Sequence, residues 1–210
     1  MELAVPDGGA RALVVLGHGA GGGITAADLS ALATSLPRAG FAVARVEQPY
    51  RVAGRRTTPA PARLDAAWLT VLAELGTRPE LAGRVLVVGG RSSGARVACR
   101  TAVAAGAAAV VALAFPLRPP GRPASRLGEL LAVPAPTLVV QGSRDVFGRG
   151  ADFPTPLPPG IELVEVAGAD HSFRTRRADG RTTADCLDEV TRAVGGWLSR
   201  CLGFTPPRRG

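Results

Sequence analysis

The turn at residues 90–94, Gly-Arg-Ser-Ser-Gly, constrains this chain more than any other stretch. An apolar run at residues 85–88, rich in β-branched side chains, leads into it and predicts a buried strand. A helix-forming run follows from Ala95. The spacing Gly-x-Ser-x-Gly is typical of a nucleophile on a sharp strand-to-helix turn, because small flanking residues let strand and helix approach each other. We therefore predict Ser92 as a nucleophile.

The same turn holds a second serine. Ser93 is the weaker candidate, since Arg91 and Ala95 stand where a nucleophile of this type needs small flanking residues. The spacing alone also fits an ordinary Gly/Ser-rich turn, so the partners of Ser92 decide between the two interpretations.

A serine hydroxyl needs a base that a third group orients. The chain has two histidines, His18 and His171. His171 follows the last predicted strand, and Asp145 follows the strand after the nucleophile unit. Catalytic triads with the chain order serine, acid, histidine are known, and Ser92, Asp145 and His171 follow that order. We therefore predict that these three residues form a catalytic triad.

Other residues compete for the same roles. Asp152 is a second choice for the acid, whereas Asp170 is too close to His171 in sequence to orient it independently. His18 is expected to shape its own loop, because His171 already supplies the base.

The first long predicted strand runs into a glycine-rich segment at residues 17–23. A tetrahedral intermediate carries an oxyanion that needs preorganised N–H donors. We predict the N–H groups of Ala20 and Ser93 as these donors. The segment also fits G-x-G-x-x-G, but the next helix is predicted to begin only near Thr25. The third glycine of a dinucleotide-binding fingerprint packs at its helix, so that function is not favoured.

Apolar runs alternate with helical patterns along the chain. Strands are predicted at residues 11–16, 41–46, 85–88, 108–115, 137–140 and 161–166. Helices are predicted at residues 25–36, 64–75, 95–105, 127–131 and 184–202. This alternation predicts an α/β fold, with a mainly parallel sheet of about six strands and helices on both faces.

Length and composition predict a single domain over residues 1–203 and a flexible tail at 204–210. The segment in which a lid could lie, residues 117–134, is short and proline-rich. We therefore expect no large lid, an open site, and short-chain soluble substrates without activation at lipid interfaces.

The net charge is +8, and all 25 basic residues are arginine. Nucleic acid is not an expected partner, because the arginines form no compact run and aromatic residues are too few to interleave with them. Arg55, Arg91 and Arg174 lie near the expected rim of the site and are candidates for binding an anionic acyl substrate. The alternatives are plain decoration of surface loops and, for Arg91 and Arg144, structural pairing with carboxylates such as Glu47.

The sequence contains no apolar run of about 18 residues or more, and its N-terminus lacks a basic and apolar leader. Neither membrane attachment nor secretion is therefore expected. Three scattered cysteines, Cys99, Cys186 and Cys201, lack metal-ligand spacing and suit reduced thiols in a cytoplasm. No metal or cofactor is implied, and the oligomeric state is not predicted.

Five segments together resemble small α/β-hydrolases of the dienelactone-hydrolase-like group, which includes relatives of the third subunit of the animal NSL histone-acetylation complex. The segments are residues 18–22, 89–98, 115–123, 141–145 and 168–173. The resemblance implies the α/β-hydrolase fold, the same triad, and a serine hydrolase that cleaves a small acyl ester or thioester. The animal relatives include scaffold-like proteins, so a non-catalytic interaction module on this fold is the alternative.

Overall fold

A computed structural model describes residues 1–121 and 124–204. Its strands are Glu2–Ala4 (β1), Ala12–Gly17 (β2), Phe41–Val46 (β3), Val85–Arg91 (β4), Ala109–Leu113 (β5), Thr137–Gly142 (β6) and Ile161–Val166 (β7). They form one sheet in the order β1-β3-β2-β4-β5-β6-β7. Strands β2 to β7 pair in parallel, and β1 pairs antiparallel with β3.

The predicted α/β fold with a mainly parallel sheet is confirmed. The six predicted strands correspond to β2 to β7. The sheet buries β2, β3, β5 and β6 almost completely, whereas β7 at its edge is partly exposed and carries two glutamates. The additional strand β1 has no counterpart in the prediction. It is three residues long and partly exposed, which is too short for an alternating or apolar pattern to show.

The helices are Ala27–Ser35 (α1), Pro49–Val52 (α2), Pro61–Gly76 (α3), Ser93–Thr101 (α4), Leu127–Leu131 (α5) and Thr183–Cys201 (α6). The prediction for α5 matches, whereas α2 lies where only a loop is predicted, since its single turn is too short for helical periodicity. Thr25 does not cap α1. The N-cap position is Ala26, and no side chain caps this end of the helix.

Side chains that alternate along β2 divide the interior into two cores. Leu13 and Val15 pack in one core with α3, α4 and α5. Val14 and Leu16 pack in the other with α1 and α6. Helices therefore cover both faces of the sheet, and its carboxyl edge stays free for the loops that follow β2, β4, β6 and β7.

The described residues contain no lid over this edge. In the described parts of 117–134, Leu117 and Leu130 are buried in the core and hold the segment against the domain. Among all the residues that the structure describes, no helix has both the length and the apolar character needed to cross a membrane.

The C-terminal residues of the described chain pack against the domain. The ring centres of Phe204 and Phe41 lie 5.9 Å apart. The guanidinium of Arg11 lies 5.5 Å from the centre of the Phe204 ring. Phe204 therefore does not belong to a free tail. The rest of the predicted tail, residues 205–210, lies outside the described residues.

Candidate active site

Ser92 lies between β4 and α4 with φ 52° and ψ −110°. A positive φ is unfavourable for a residue that carries a Cβ, and such a conformation costs about 1–3 kcal/mol. The N–H of Ser92 donates to the carbonyl of Leu113 at 2.9 Å, which fixes the turn against β5. The backbone therefore holds this one serine in a strained conformation at the carboxyl edge of the sheet.

The two glycines around Ser92 are required by a close approach of β2. A Cβ at Gly94 would lie 2.2 Å from the carbonyl oxygen of Gly17, and a Cβ at Gly90 would lie 2.4 Å from the same atom. No real Cβ tolerates such a distance to backbone. The small residues that the Gly-x-Ser-x-Gly spacing provides are thus a steric necessity here.

A row of hydrogen bonds connects the three residues of the predicted triad. The Nε2 of His171 lies 3.0 Å from the Oγ of Ser92, and its Nδ1 lies 2.7 Å from the Oδ2 of Asp145. The Asp145 side chain is fully buried, whereas His171 is one-fifth exposed. A carboxylate only accepts hydrogen bonds, so Nδ1 carries the proton and Nε2 accepts from the hydroxyl.

Two residues that the sequence analysis does not identify support this row. Gln141 donates from Nε2 to the Oδ2 of Asp145 at 2.9 Å. The ring of Phe147 lies 4.3 Å from the His171 imidazole, and its N–H donates to the Oδ1 of Asp145 at 2.8 Å. A glutamine within the apolar run of β6 is the signal that identifies Gln141, because a buried amide requires partners.

The rival acids have other roles. Asp152 accepts from the N–H of Arg149 at 2.8 Å. Asp170 accepts from the N–H groups of Ser172 and Arg174 at 2.8 and 2.9 Å, so it shapes the loop around the imidazole. In the described structure it is Asp145 that binds the imidazole.

His18 is structural, as expected. It is 1% exposed, its Nδ1 donates to the carbonyl of Gly19 at 2.7 Å, and its Nε2 accepts from the N–H of Gln48 at 3.0 Å. The nearby carboxylate of Glu47 accepts from the N–H of Ile24 at 3.3 Å. Both side chains hold the glycine-rich loop after β2.

The two predicted oxyanion donors lie on the same cleft as Ser92. This cleft has a volume of about 680 Å³, and Ala20, Ser93 and His171 line it. Ser93 is the first residue of α4, where an N–H has no acceptor within the helix. The hydroxyl of Tyr50 donates to the carbonyl of Ala20 at 2.9 Å and so fixes that peptide. Their role toward an oxyanion remains a prediction.

Comparison with known proteins identifies the family. A family model described as an alpha/beta hydrolase domain matches residues 10–199. The chain belongs to the alpha/beta hydrolase domain family. No curated protein sequence matches it significantly.

Solved structures with low sequence identity share this alpha/beta hydrolase fold. A serine hydrolase homologue from Coxiella burnetii has a TM-score of 0.72 at 18% identity, covering 91% of this chain and 89% of that one. XC6422 from Xanthomonas campestris, described as a serine hydrolase without a lid, has 0.69 at 18% identity, covering 99% and 89%. A dienelactone hydrolase from Anabaena variabilis has 0.70 at 20% identity, covering 94% and 89%.

The three candidate substrate-binding arginines lie in different surroundings. Arg174 lines the cleft that holds Ser92. Arg55 lines a neighbouring cavity of about 350 Å³ together with Tyr50 and Arg63, and its role in substrate binding stays a prediction. The cavity adjoins the cleft because Tyr50 also bonds Ala20, a residue of the cleft.

The third arginine, Arg91, touches the cleft but bonds to protein groups. Its Nη2 donates to the carbonyl of His171 at 2.7 Å and to the Oγ of Ser172 at 2.8 Å. Its Nε lies 3.2 Å from the Oδ2 of Asp28, an ion pair without hydrogen-bond alignment. These contacts favour the structural alternative for Arg91, with Asp28 as its carboxylate partner in place of Glu47.

Burial also sets the charge of two groups near this alpha/beta hydrolase site. Desolvation raises the pKa of Asp28 above its ordinary value of 3.8, and the guanidinium of Arg91 opposes that rise. Desolvation raises the pKa of Cys99 to about 12, which leaves its thiol protonated and a poor nucleophile. No group of three or more potential ligands within the described residues is placed to hold a metal ion.

Proposed function

We propose that this chain is a serine hydrolase that cleaves a small acyl ester or thioester through an acyl-enzyme. The observation that carries this proposal is the hydrogen-bonded row from Ser92 through His171 to Asp145 at the edge of an open cleft. The strained backbone of Ser92 supports it, because strain persists where function requires a fixed side chain.

In the acylation step the Oγ of Ser92 attacks the acyl carbonyl carbon, and its proton moves to the Nε2 of His171. The N–H groups of Ala20 and Ser93 donate to the oxyanion that forms. The tetrahedral intermediate then collapses, the bond to the leaving group breaks, and the proton on Nε2 passes to the departing oxygen or sulfur. Asp145 keeps the imidazole in the required tautomer throughout.

In the deacylation step a water molecule replaces the leaving group. His171 removes one proton from this water as its oxygen attacks the acyl carbon. The second tetrahedral intermediate collapses, the proton returns to the Oγ of Ser92, and the free acid leaves. The cycle consumes one water and restores the enzyme.

The cleft supports a small and soluble substrate. It is open at the carboxyl edge of the sheet, and the described residues place no lid over it. Its exposed Arg174 supports an anionic group on that substrate, since a guanidinium binds carboxylate or phosphate. The free thiols of Cys99, Cys186 and Cys201 support action in the cytoplasm.

The alternative is an interaction module that retains the fold of a hydrolase, as the resemblance to relatives of the NSL subunit suggests. Such a module has no need of the oriented imidazole or the strained serine, and these two features favour catalysis.

The test compares Ser92→Ala with Ser199→Ala, a change of the same size on α6, where the hydroxyl bonds only within its own helix. Wild type and Ser199→Ala should hydrolyse short acyl esters and be labelled by a serine-directed phosphonate at Ser92. Ser92→Ala should do neither while keeping its melting temperature within a few degrees. Labelling at another residue, or equal hydrolysis by all three proteins, would reject the proposal.

A further inference from the structure

An arginine immediately precedes two of the three residues proposed for catalysis. Arg91 precedes the nucleophile at the end of β4, and Arg144 precedes the acid after β6. The base lies on residues 168–172, called here the histidine loop. Both arginines bond to this loop, although one ends β4 and the other follows β6.

The side chain of Arg91 connects three parts of the molecule. Its Nη2 donates to the carbonyl of His171 and to the hydroxyl of Ser172, at 2.7 and 2.8 Å. Its Nε faces the carboxylate of Asp28 on α1, which is 2% exposed and accepts from the N–H of Leu29 at 3.0 Å. The guanidinium therefore fixes the end of the histidine loop against a buried acid.

Arg144 bonds to the other end of the histidine loop. Its Nη1 donates to the carbonyl of Gly168 at 2.9 Å and to the Oδ2 of Asp179 at 2.8 Å. Its backbone N–H donates to the carbonyl of Ala169 at 2.9 Å. A carboxylate thus orients each of the two guanidinium groups, and each group binds a loop carbonyl.

We propose that Arg91 and Arg144 are positioning residues that fix the histidine loop relative to the nucleophile and the acid. This inference rests on the proposed function. Each guanidinium belongs to the residue beside one partner of His171, so it ties the position of the loop to that partner. An error of about 1 Å in such an arrangement can cost about 100-fold in rate.

A role in substrate binding would use only those donors of the guanidinium that protein groups leave available. The Arg91 side chain is 13% exposed, and two of its nitrogens already face protein groups. Burying an ion pair such as Arg91 and Asp28 contributes little net stability. Its contribution lies more in defining one arrangement of the side chains. A positioning role accounts for both observations.

The test uses four variants: Arg91→Met, Arg91→Lys, Asp28→Asn and Arg144→Met. The matched control is Arg100→Met. Arg100 lies on α4, is 20% exposed, makes a two-bond ion pair with Asp65 at 2.9 and 2.6 Å, and also faces Glu129 at 3.5 Å. Neither carboxylate belongs to the histidine loop. The loss of Arg100 removes a comparable ion pair without releasing the histidine loop.

Arg91→Met should lower kcat for a short neutral ester about 100-fold with KM within threefold, because binding is unchanged and alignment is lost. Arg91→Lys keeps one cationic donor and should recover part of kcat. Asp28→Asn and Arg144→Met should each lower kcat about tenfold. Arg100→Met should match wild type. The downfield proton resonance of His171 Nδ1–H, assigned by its absence in His171→Gln, should broaden in Arg91→Met and remain sharp in the control.

A kcat within threefold of wild type and a sharp proton resonance in folded Arg91→Met would overturn the inference. If Arg91→Met does not fold, Arg91→Lys and Asp28→Asn decide by the same two measurements. If wild type shows no hydrolysis that depends on Ser92, the proposed function fails instead. The proton resonance still tests the positioning role in that case, because it reports the bond between His171 and Asp145 without turnover.

Discussion

The nucleophile turn at residues 90–94 and the histidine loop at residues 168–172 deliver their side chains in different ways. Backbone contact fixes the turn, since Gly90 and Gly94 press against the carbonyl of Gly17 and leave no room for a Cβ. The loop has one such backbone contact, where Gly142 meets the carbonyl of Ala169, but its two ends also depend on side chains from distant positions, through the hydrogen bonds of Arg91 and Arg144. Gly90 and Gly94 therefore tolerate no larger side chain, whereas the side chains that hold the loop can be exchanged without a clash of backbones. A change in the loop should reduce activity before it reduces folding.

The largest effect should follow from removing the acid that orients the loop's histidine. Asp145→Asn presents an amide N–H where Nδ1 needs an acceptor, so the imidazole takes the other tautomer and no longer accepts from Ser92. We expect kcat to fall by about 10³- to 10⁴-fold while the protein remains folded. Steady-state kinetics with a short acyl ester and a circular dichroism melt measure the two effects.

Asp152→Asn is the control for this change, because its carboxylate bonds to the N–H of Arg149 and not to the imidazole. It should leave kcat within about twofold. A larger loss of kcat in Asp152→Asn than in Asp145→Asn would show that Asp145 is not the acid of the triad.

A substitution at the glycines of the turn should reduce folding stability, whereas a change at the loop should reduce activity. A Cβ added at Gly94 would lie 2.2 Å from backbone, so strand and helix must separate. We expect Gly94→Ala to lose about 3 kcal/mol or more of unfolding free energy, or to fail to fold. Gly21→Ala is the matched control, because a Cβ there meets nothing within 4 Å. Urea unfolding of both variants decides, and equal stability would show that the close approach is relaxed in solution.

This difference explains what the sequence could predict. The turn is encoded locally, so a five-residue spacing after an apolar run makes Ser92 a candidate nucleophile. The order of strands then placed Asp145 and His171 at the same edge, and the structure brings their side chains into one row. Continuous apolar runs likewise predicted the parallel strands, because burial on both faces leaves that pattern.

Contacts between distant residues left no such signal. Arg91 and Asp28 are far apart in sequence, and nothing in either neighbourhood marks them as a pair. Arg55 follows β3 as a rim residue would, yet its loop places it on the adjoining cavity. In a chain whose basic residues are all arginine, a bonded guanidinium and a solvated one look alike until the fold is known.

The buried pair makes the stability of Arg91→Met depend on pH. Burial raises the pKa of Asp28, while Arg91 and, more weakly, His171 oppose the rise. Arg91→Met removes the main opposing charge, so the pKa of Asp28 in the native state rises further above that of the unfolded chain. Native stability must then fall as the pH increases above 3.8. We expect Arg91→Met to be less stable than wild type by about 3 kcal/mol at about pH 7, and this deficit should shrink toward about pH 4.

Thermal melts across this range, in wild type and Arg91→Met, measure the deficit. Repeating them in an Asp28→Asn background isolates the carboxylate, and there the deficit should no longer vary with pH. A deficit that stays constant or grows on acidification in the original background would show that Asp28 is not the titrating group.

The smallest effect concerns substrate charge at the rim of the histidine loop. Arg174 is exposed on the cleft, whereas Arg55 lies on the adjoining cavity, so Arg174 should matter more for an anionic acyl group. We expect kcat/KM for an ω-carboxylated ester to exceed that for its neutral analogue by about three- to tenfold at low salt, corresponding to about 1 kcal/mol for an exposed charge pair. The preference should weaken as salt shortens the range of the interaction to about 10 Å at 0.1 M.

Charge reversal separates a specific contact from the overall charge of +8. Arg174→Glu should abolish the preference and Arg55→Glu should reduce it less, because only the first side chain shares the cleft with Ser92. Arg192→Glu on α6 changes the net charge equally but lies on a helix that packs in the other core, so it should preserve the preference. If the neutral ester is turned over equally well at low salt, or if all three variants lose the preference alike, the arginines contribute only a general surface potential.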